Sequence, residues 1–173
     1  MKLQRFSWER MIRAVEKVRE RTLRVARALE AAEIPDAIAG GNAVAAWVAR
    51  VDEAAVRNTP DVDVLVRRVD FDQIKIALEG SGFEYHQDMG VDCFIDGPDG
   101  SVREAVHLLY AGEKVKPEYT SSSAEISGRV PAENYQIVDL EPLVRMKLNS
   151  FRRKDQTHFP DMIELGIIDE SWI

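Results

Sequence analysis

The stretch Ala37-Ile-Ala-Gly-Gly-Asn-Ala-Val-Ala-Ala-Trp47, followed by Arg57-Asn-Thr-Pro-Asp-Val-Asp-Val-Leu-Val66, decides the fold. Its first part is a short apolar run, then the pair Gly40–Gly41, then a predicted helix of small residues. Its second part predicts a strand that begins on two aspartates. Glycine lets backbone N–H groups approach an anion closely, and the start of a helix adds partial positive charge at the same place. This order therefore indicates an α/β fold with a phosphate site.

The two aspartates, Asp61 and Asp63, are predicted to act together. Residues two apart in a strand point to the same face, so both carboxylates are aimed the same way. Such carboxylates repel each other unless a cation lies between them, and their oxygens suit Mg²⁺ or Mn²⁺. The pattern is weak by itself, because the chain repeats it in Asp70-Phe-Asp72, interpreted as the cap and first turn of a surface helix. A solvated strand start is the alternative for the first pair, and the glycine pair upstream favours the metal site.

The order Gly40-Gly41, a helix, then Arg57-x-Thr59-x-Asp61-x-Asp63 resembles the nucleotidyltransferase superfamily of the polymerase-β type. It is most similar to the small bacterial branch of minimal nucleotidyltransferases and abortive-infection (AbiEii-like) toxins. The resemblance implies an enzyme that moves an NMP from a nucleoside triphosphate such as ATP to a hydroxyl group, with Mg²⁺ or Mn²⁺ on the aspartates. The acceptor stays open between RNA such as tRNA, a protein and a small molecule, and a toxin–antitoxin component is one form of this reading.

The resemblance also implies which residues bind the nucleotide. The glycine pair holds the triphosphate, and other positions of the motifs assist. The candidates are Gly40, Gly41, Asn42, Arg57, Thr59 and Arg152.

A third carboxylate is expected from a strand beside the aspartate pair, and the predicted strand Val102–Tyr110 departs from that pattern. His107 in Val106-His107-Leu108-Leu109 stands where the family has an acid. Glu104 lies three residues earlier, on the opposite strand face. Either Glu104 substitutes through a bulge, or His107 takes part, or His107 is a core residue and the site is incomplete. In the last case, the chain would be an inactive nucleotide-binding or protein-interaction module.

A helix is predicted after Asp139, with an apolar stripe that includes Lys147 between Val144 and Phe151. A buried lysine is costly without a partner, so Lys147 should meet a carboxylate or a phosphate.

The segment that follows extends the resemblance. Lys147-x4-Arg152-x-Lys154-Asp155-x-x-His158-x-x-Asp161 is similar to a signature of the toxin-related branch, in which the lysine reaches the nucleotide. Two structural alternatives stay open: a helix C-terminus with the cap of the next helix around Arg152, and a hydrogen-bond network of Asp155, His158 and Asp161 in place of a metal site.

Size and composition limit these interpretations of fold and function. The 173 residues predict a single domain, with an N-terminal helix over 1–35, a catalytic core over 36–116, an irregular excursion over 117–138 and C-terminal helices over 139–173. The sheet is predicted to be small, mixed and twisted, with about five strands. The net charge of −7 argues against a dedicated nucleic-acid surface. The lone Cys93 excludes an internal disulfide, and the lack of a signal peptide or of ~18 successive apolar residues predicts a cytoplasmic protein without a membrane span. The oligomeric state is left open.

Overall fold

The computed structural model describes residues 7–88, 90–168 and 172, apart from the side chain of Lys154. Its helices are α1 (Trp8–Ala31), α2 (Gly40–Ala49), α3 (Phe71–Gly80), α4 (Leu140–Ser150) and α5 (Arg153–Glu164). Its strands are β1 (Asp36–Ile38), β2 (Val62–Val66), β3 (Phe83–Asp88), β4 (Val91–Asp96), β5 (Val106–Tyr110), β6 (Arg129–Pro131) and β7 (Gln136–Val138). None of the helices in these ranges is long and apolar enough to cross a membrane.

The strands form one mixed sheet of seven, in the order β3-β4-β5-β2-β1-β7-β6. The pairs β2–β5 and β1–β7 are parallel, and the other neighbours are antiparallel. The predicted α/β class and mixed sheet are confirmed. The expected number of strands was too small, because β6 and β7 lie inside the segment 117–138 that was predicted to be irregular. Each has only three residues, which is too short to show a period of two.

The core lies on both faces of the central strands. Val62, Val64, Leu65 and Val66 of β2 are fully buried, as expected for a strand covered on both sides. The long helix α1 covers the sheet only with its second half. The apolar side chains Trp8, Met11 and Val15 in its first half are exposed. The first turns of α1 therefore extend beyond the sheet, and the packed surface begins further along the helix.

The site lies at one end of this sheet. β2 and β5 are parallel and begin there, whereas the antiparallel β1 ends there and leads into α2. The segment before β5 was predicted to be strand from Val102, but Val102–Glu104 is a 3-10 turn. The Ser101 side chain accepts a hydrogen bond from the backbone N–H of Arg103, which favours a turn over an extended chain at this point.

Candidate active site

Strand register brings the predicted metal ligands together. Asp63 is paired directly with His107 across the parallel strands β2 and β5, so their side chains share one face of the sheet. His107 Nδ1 lies 3.8 Å from Asp63 Oδ1. One ligand atom from each of Asp61, Asp63 and His107 lies within 4.8 Å of the others. In the part of the chain that the structure describes, this is the one group of three such residues with the spacing of a metal site.

The chemistry of these donors fits a divalent cation. Two carboxylates this close disfavour each other's ionised form, and a cation between them removes that repulsion. Carboxylate oxygens suit Mg²⁺ and Mn²⁺, and an imidazole nitrogen suits transition ions. All three side chains are partly buried and open to a cavity, so an ion could enter while other ligand positions remain for a substrate.

Gly40 packs against the Asp63 carboxylate. Its φ is +60°, in the left-handed region that favours glycine. A Cβ at this position would lie 2.7 Å from the Asp63 Cγ and closer still to its Oδ2. Only a residue without a side chain allows the start of α2 to approach the carboxylate this closely. The first N–H groups of α2, which have no partner within the helix, therefore lie beside the metal ligands.

Gly41 is pressed in the same way against Thr59. A Cβ on Gly41 would lie 2.5 Å from the Thr59 Cγ2 and 2.6 Å from its Oγ1. That Oγ1 is buried and has no hydrogen-bond partner among the described residues. The next residue, Asn42, donates from Nδ2 to the backbone carbonyl of Asp61 over 2.7 Å. This hydrogen bond fixes the glycine turn at the start of α2 relative to the segment that leads into β2.

A buried ion pair stands beside the metal ligands. Lys147 Nζ donates to Asp155 Oδ1 over 3.0 Å, and the two side chains are 4% and 0% exposed. The Ser150 hydroxyl and Arg152 Nε donate to the other carboxylate oxygen over 2.6 and 3.1 Å. Lys147 thus meets a carboxylate, which is one of the two partners that its predicted burial required.

The charges of this network affect one another. Burial alone would raise the pKa of Asp155, but the Ser150 hydroxyl and the Lys147 and Arg152 cations together lower it to about 2. Burial lowers the pKa of Lys147, opposed mainly by Asp155 and also by the charge of Asp63. Burial opposes the protonated form of Arg152, but Asp155 mainly, and the charge of Asp63 in addition, raise its pKa. Both cations are therefore close enough to Asp63 to sense the charge of the metal site.

Two other predicted site residues lie elsewhere. Glu104 Oε2 accepts a hydrogen bond from Arg21 on α1 over 3.4 Å, on the side of the sheet that α1 covers. Arg57 is 61% exposed and pairs with Asp161 through hydrogen bonds of 2.5 and 3.0 Å. Of the acidic and histidine positions of the C-terminal signature, Asp155 pairs with Lys147 and Asp161 with Arg57, and among the described residues they form no metal-ligand group with His158. The side chain of Lys154 lies outside the described part of the structure.

A cavity of about 650 Å³ opens over the metal ligands. This volume falls within the usual range of small-molecule sites, ~300–1,000 Å³. Lys147 and Arg152 form part of one side. The segment 115–123 forms much of another side, and Asp88 of β3 and Asn149 of α4 also line the cavity. The sequence did not predict these lining residues, which are Val115, Lys116, Pro117, Glu118, Tyr119, Ser121, Ser122, Ser123, Asp88 and Asn149.

Asn149 fixes this wall. Its Oδ1 accepts from the backbone N–H and the hydroxyl of Thr120, both over 2.9 Å, and its Nδ2 donates to the carbonyl of Ser121 over 2.8 Å. No local sequence signal marks this wall, because its contacts with Asn149 of α4 join residues that are far apart along the chain.

Comparisons with known proteins show the fold. No protein-family model matches the chain, and no curated protein matches its sequence significantly. The antibiotic-resistance factor ANT(2'')-Ia in solution is similar, with a TM-score of 0.59 and 15% identity over 88% of this chain and 85% of that chain. The crystal structure of ANT(2'')-Ia in complex with adenylyl-2''-tobramycin has a TM-score of 0.58 and 15% identity over 88% and 91%.

A third solved structure is an antigenic nucleotidyltransferase-like protein from Paracoccidioides brasiliensis, with a TM-score of 0.54 and 21% identity over 87% of this chain and 75% of that chain. The fold of this chain is thus similar to nucleotidyltransferase folds. At these identities, the likeness describes the arrangement of helices and strands.

Proposed function

We propose that this chain is a metal-dependent nucleotidyltransferase that transfers an NMP from a nucleoside triphosphate to a hydroxyl group. The observation that carries the proposal is the convergence of Asp61, Asp63 and His107 within 4.8 Å at a cavity of about 650 Å³. The start of α2 lies directly beside them, where backbone N–H groups and the helix dipole attract phosphate oxygens. Carboxylates for an ion and a helix start for phosphates are the parts that this reaction needs.

The chain's own residues would divide the work between binding and orientation. An ion held by Asp61, Asp63 and His107 would neutralise charge on the triphosphate and on the group that leaves. Gly40, Gly41 and the first turn of α2 would hold the β- and γ-phosphates. The acceptor hydroxyl would then lose its proton to solvent and its oxygen would form a bond to the α-phosphorus, while the α–β phosphoanhydride bond breaks and pyrophosphate leaves. Catalysis of this kind consists of positioning and electrostatic stabilisation.

The basic residues would interact with the nucleotide from different distances. Arg152 is half-exposed at the cavity and could reach a phosphate directly. Lys147 would contribute its charge from the buried pair with Asp155, close to Asp63. Thr59 would offer its unpartnered Oγ1 at the glycine turn. Arg57 would have to exchange Asp161 for a phosphate to take part.

The acceptor is proposed to be a small molecule. The cavity is of small-molecule size, and the net charge of −7 disfavours a long polyanion such as tRNA. The similar ANT(2'')-Ia structure contains adenylyl-2''-tobramycin, which is a nucleotidylated small molecule. RNA and protein acceptors, including those of a toxin–antitoxin system in the abortive-infection branch, are the alternatives that an acceptor screen would test.

A second candidate function follows from His107. A histidine at the expected third carboxylate favours a module that binds nucleotide without turnover, because this position usually supplies negative charge to the ion. The two candidates differ in one observable, the release of pyrophosphate. Binding without release in the presence of any acceptor class would favour the module.

The testing experiment is thermal unfolding with each nucleoside triphosphate, with and without Mg²⁺ or Mn²⁺. A ligand at 100 times its Kd stabilises the folded state by about 2.7 kcal/mol, which raises Tm measurably. We expect a metal-dependent shift in the wild type that disappears in D61N/D63N. The matched control is D70N/D72N, which changes the chain's other Asp-x-Asp pair away from the cavity and should keep the shift. Absence of a shift with every nucleotide and ion would refute the enzyme proposal.

A further inference from the structure

The third residue of the metal group differs in kind from the other two. His107 offers an imidazole nitrogen, whereas Asp61 and Asp63 offer oxygens. Its side chain is 22% exposed and lines the cavity, so it is not a core histidine. The reading of His107 as a packed residue of an apolar strand is thereby disfavoured by its surroundings.

The strand holds His107 in this position. Val106 and Leu108 on either side are buried in the opposite face of the sheet, at 0% and 2% exposure. On the neighbouring strand β4, the buried Cys93 is registered directly opposite His107. A slip of β5 by one residue would expose these apolar side chains, so the register that aims the imidazole at Asp63 is strongly specified. The nitrogen is a built-in part of the site.

Nitrogen and oxygen donors discriminate between cations. Mg²⁺ is a hard ion that prefers all-oxygen, octahedral coordination and gives up its water reluctantly. Imidazole suits first-row transition ions, whose affinity for a site with nitrogen donors rises from Mn²⁺ through Fe²⁺ and Co²⁺. A site with two carboxylates and one imidazole thus loses part of what makes three carboxylates suitable for Mg²⁺.

We propose that His107 makes this site selective for a first-row transition ion, such as Mn²⁺ or Co²⁺, over Mg²⁺. The inference rests on the proposed function, since both require an ion at Asp61 and Asp63. It deepens that function by naming the class of ion. It also replaces the view of His107 as a lost ligand with that of a changed ligand.

The test is direct spectroscopy of bound Mn²⁺, without any activity measurement. Electron spin-echo spectroscopy of the Mn²⁺-loaded protein should show coupling to a directly coordinated ¹⁴N nucleus. This coupling should vanish in H107D, which supplies a third carboxylate, and persist in H86N. His86 is the matched control because it is an exposed histidine on β3, two strands from β5 in the same sheet.

Competition titrations of Mg²⁺ against Mn²⁺ complete the test. Loss of a partner in even the outer shell of a metal site typically changes affinity by 10–100-fold, so we expect H107D to shift the preference toward Mg²⁺ by at least about tenfold. H86N should leave the preference unchanged. The spectrum of the wild type tests the proposal even if H107D fails to fold.

The outcomes separate the two proposals. Bound Mn²⁺ that shows no nitrogen coupling, or an unchanged ion preference in folded H107D, would overturn the selectivity while leaving metal-dependent nucleotide binding intact. Failure of the wild type to bind any divalent ion, with or without nucleotide, would overturn both.

Discussion

Replacement of Gly40 by alanine is the sharpest test of the close approach between α2 and Asp63. The left-handed φ of +60° penalises any side chain by about 1–2 kcal/mol. The added Cβ would also lie 2.7 Å from the Asp63 Cγ, so the carboxylate has to move. Overpacking of this kind adds about 1–3 kcal/mol. We expect G40A to fold with a reduced Tm and to lose at least about tenfold in Mn²⁺ affinity, because a ligand is displaced.

A substitution at Gly97 is the control for the conformational penalty of a left-handed φ. Its φ is +73°, and a Cβ there would meet no atom within 4 Å. G97A should therefore carry only the conformational penalty of about 1–2 kcal/mol, which corresponds to a fall in Tm of about 2–8 °C in a chain of this length. Thermal unfolding and Mn²⁺ titration of both variants give the comparison. A G40A variant that binds Mn²⁺ like the wild type, or is as stable as G97A, would refute the reasoning.

Three further substitutions test residues other than the three metal ligands. D155N leaves Lys147 buried without its counter-ion and should cost about 3–5 kcal/mol in urea unfolding at neutral pH. Because the pKa of Asp155 is lowered to about 2 from 3.8, the stability that the carboxylate contributes above about pH 4 is lost as the pH falls toward 2, and D155N should lack this loss. Burial raises the pKa of Asp36 from 3.8 to about 7, so the stability of the wild type should fall as the pH rises from about 4 to 7. D36N should abolish this fall and should be more stable than the wild type at pH 8 by at most about 4 kcal/mol. R21M removes a buried side chain that donates to the carbonyl of Pro60 over 3.1 Å and to two carboxylates, and should lower the free energy of unfolding by about 1.5–3 kcal/mol; an unchanged urea midpoint would contradict this.

The parts of the site that are close in sequence could be predicted from it. Gly40 and Gly41 follow a short strand and begin α2 as expected, and Asp61 and Asp63 stand at the start of β2. These features follow from local rules, namely the special backbone freedom of glycine and the alternation of side chains along a strand. The α/β class followed from the same pattern of elements.

The choice between Glu104 and His107 needed the tertiary structure. A 3-10 turn before β5 places Glu104 beside Arg21 of α1, and no local sequence pattern predicts this contact. The counter-ion of Lys147 was also undetermined. It depends on Phe151, whose φ of +38° ends α4 and turns the chain so that Asp155 returns to the lysine. A phenylalanine in the left-handed backbone region is locally unfavourable, so tertiary packing must determine this conformation.

The parallel pairing of β2 with β5 also bears on folding. Asp63 and His107 are neighbours in space, yet α3 and the β3–β4 hairpin lie between them along the chain. Closure of such a long segment is an entropic cost of folding that local contacts do not offset. An ion bound by both residues would act as a reversible cross-link over this segment. Hydrogen exchange in the backbone amides of β2 and β5 should then slow when Mn²⁺ is added, and the central strands would report metal binding through their opening rates.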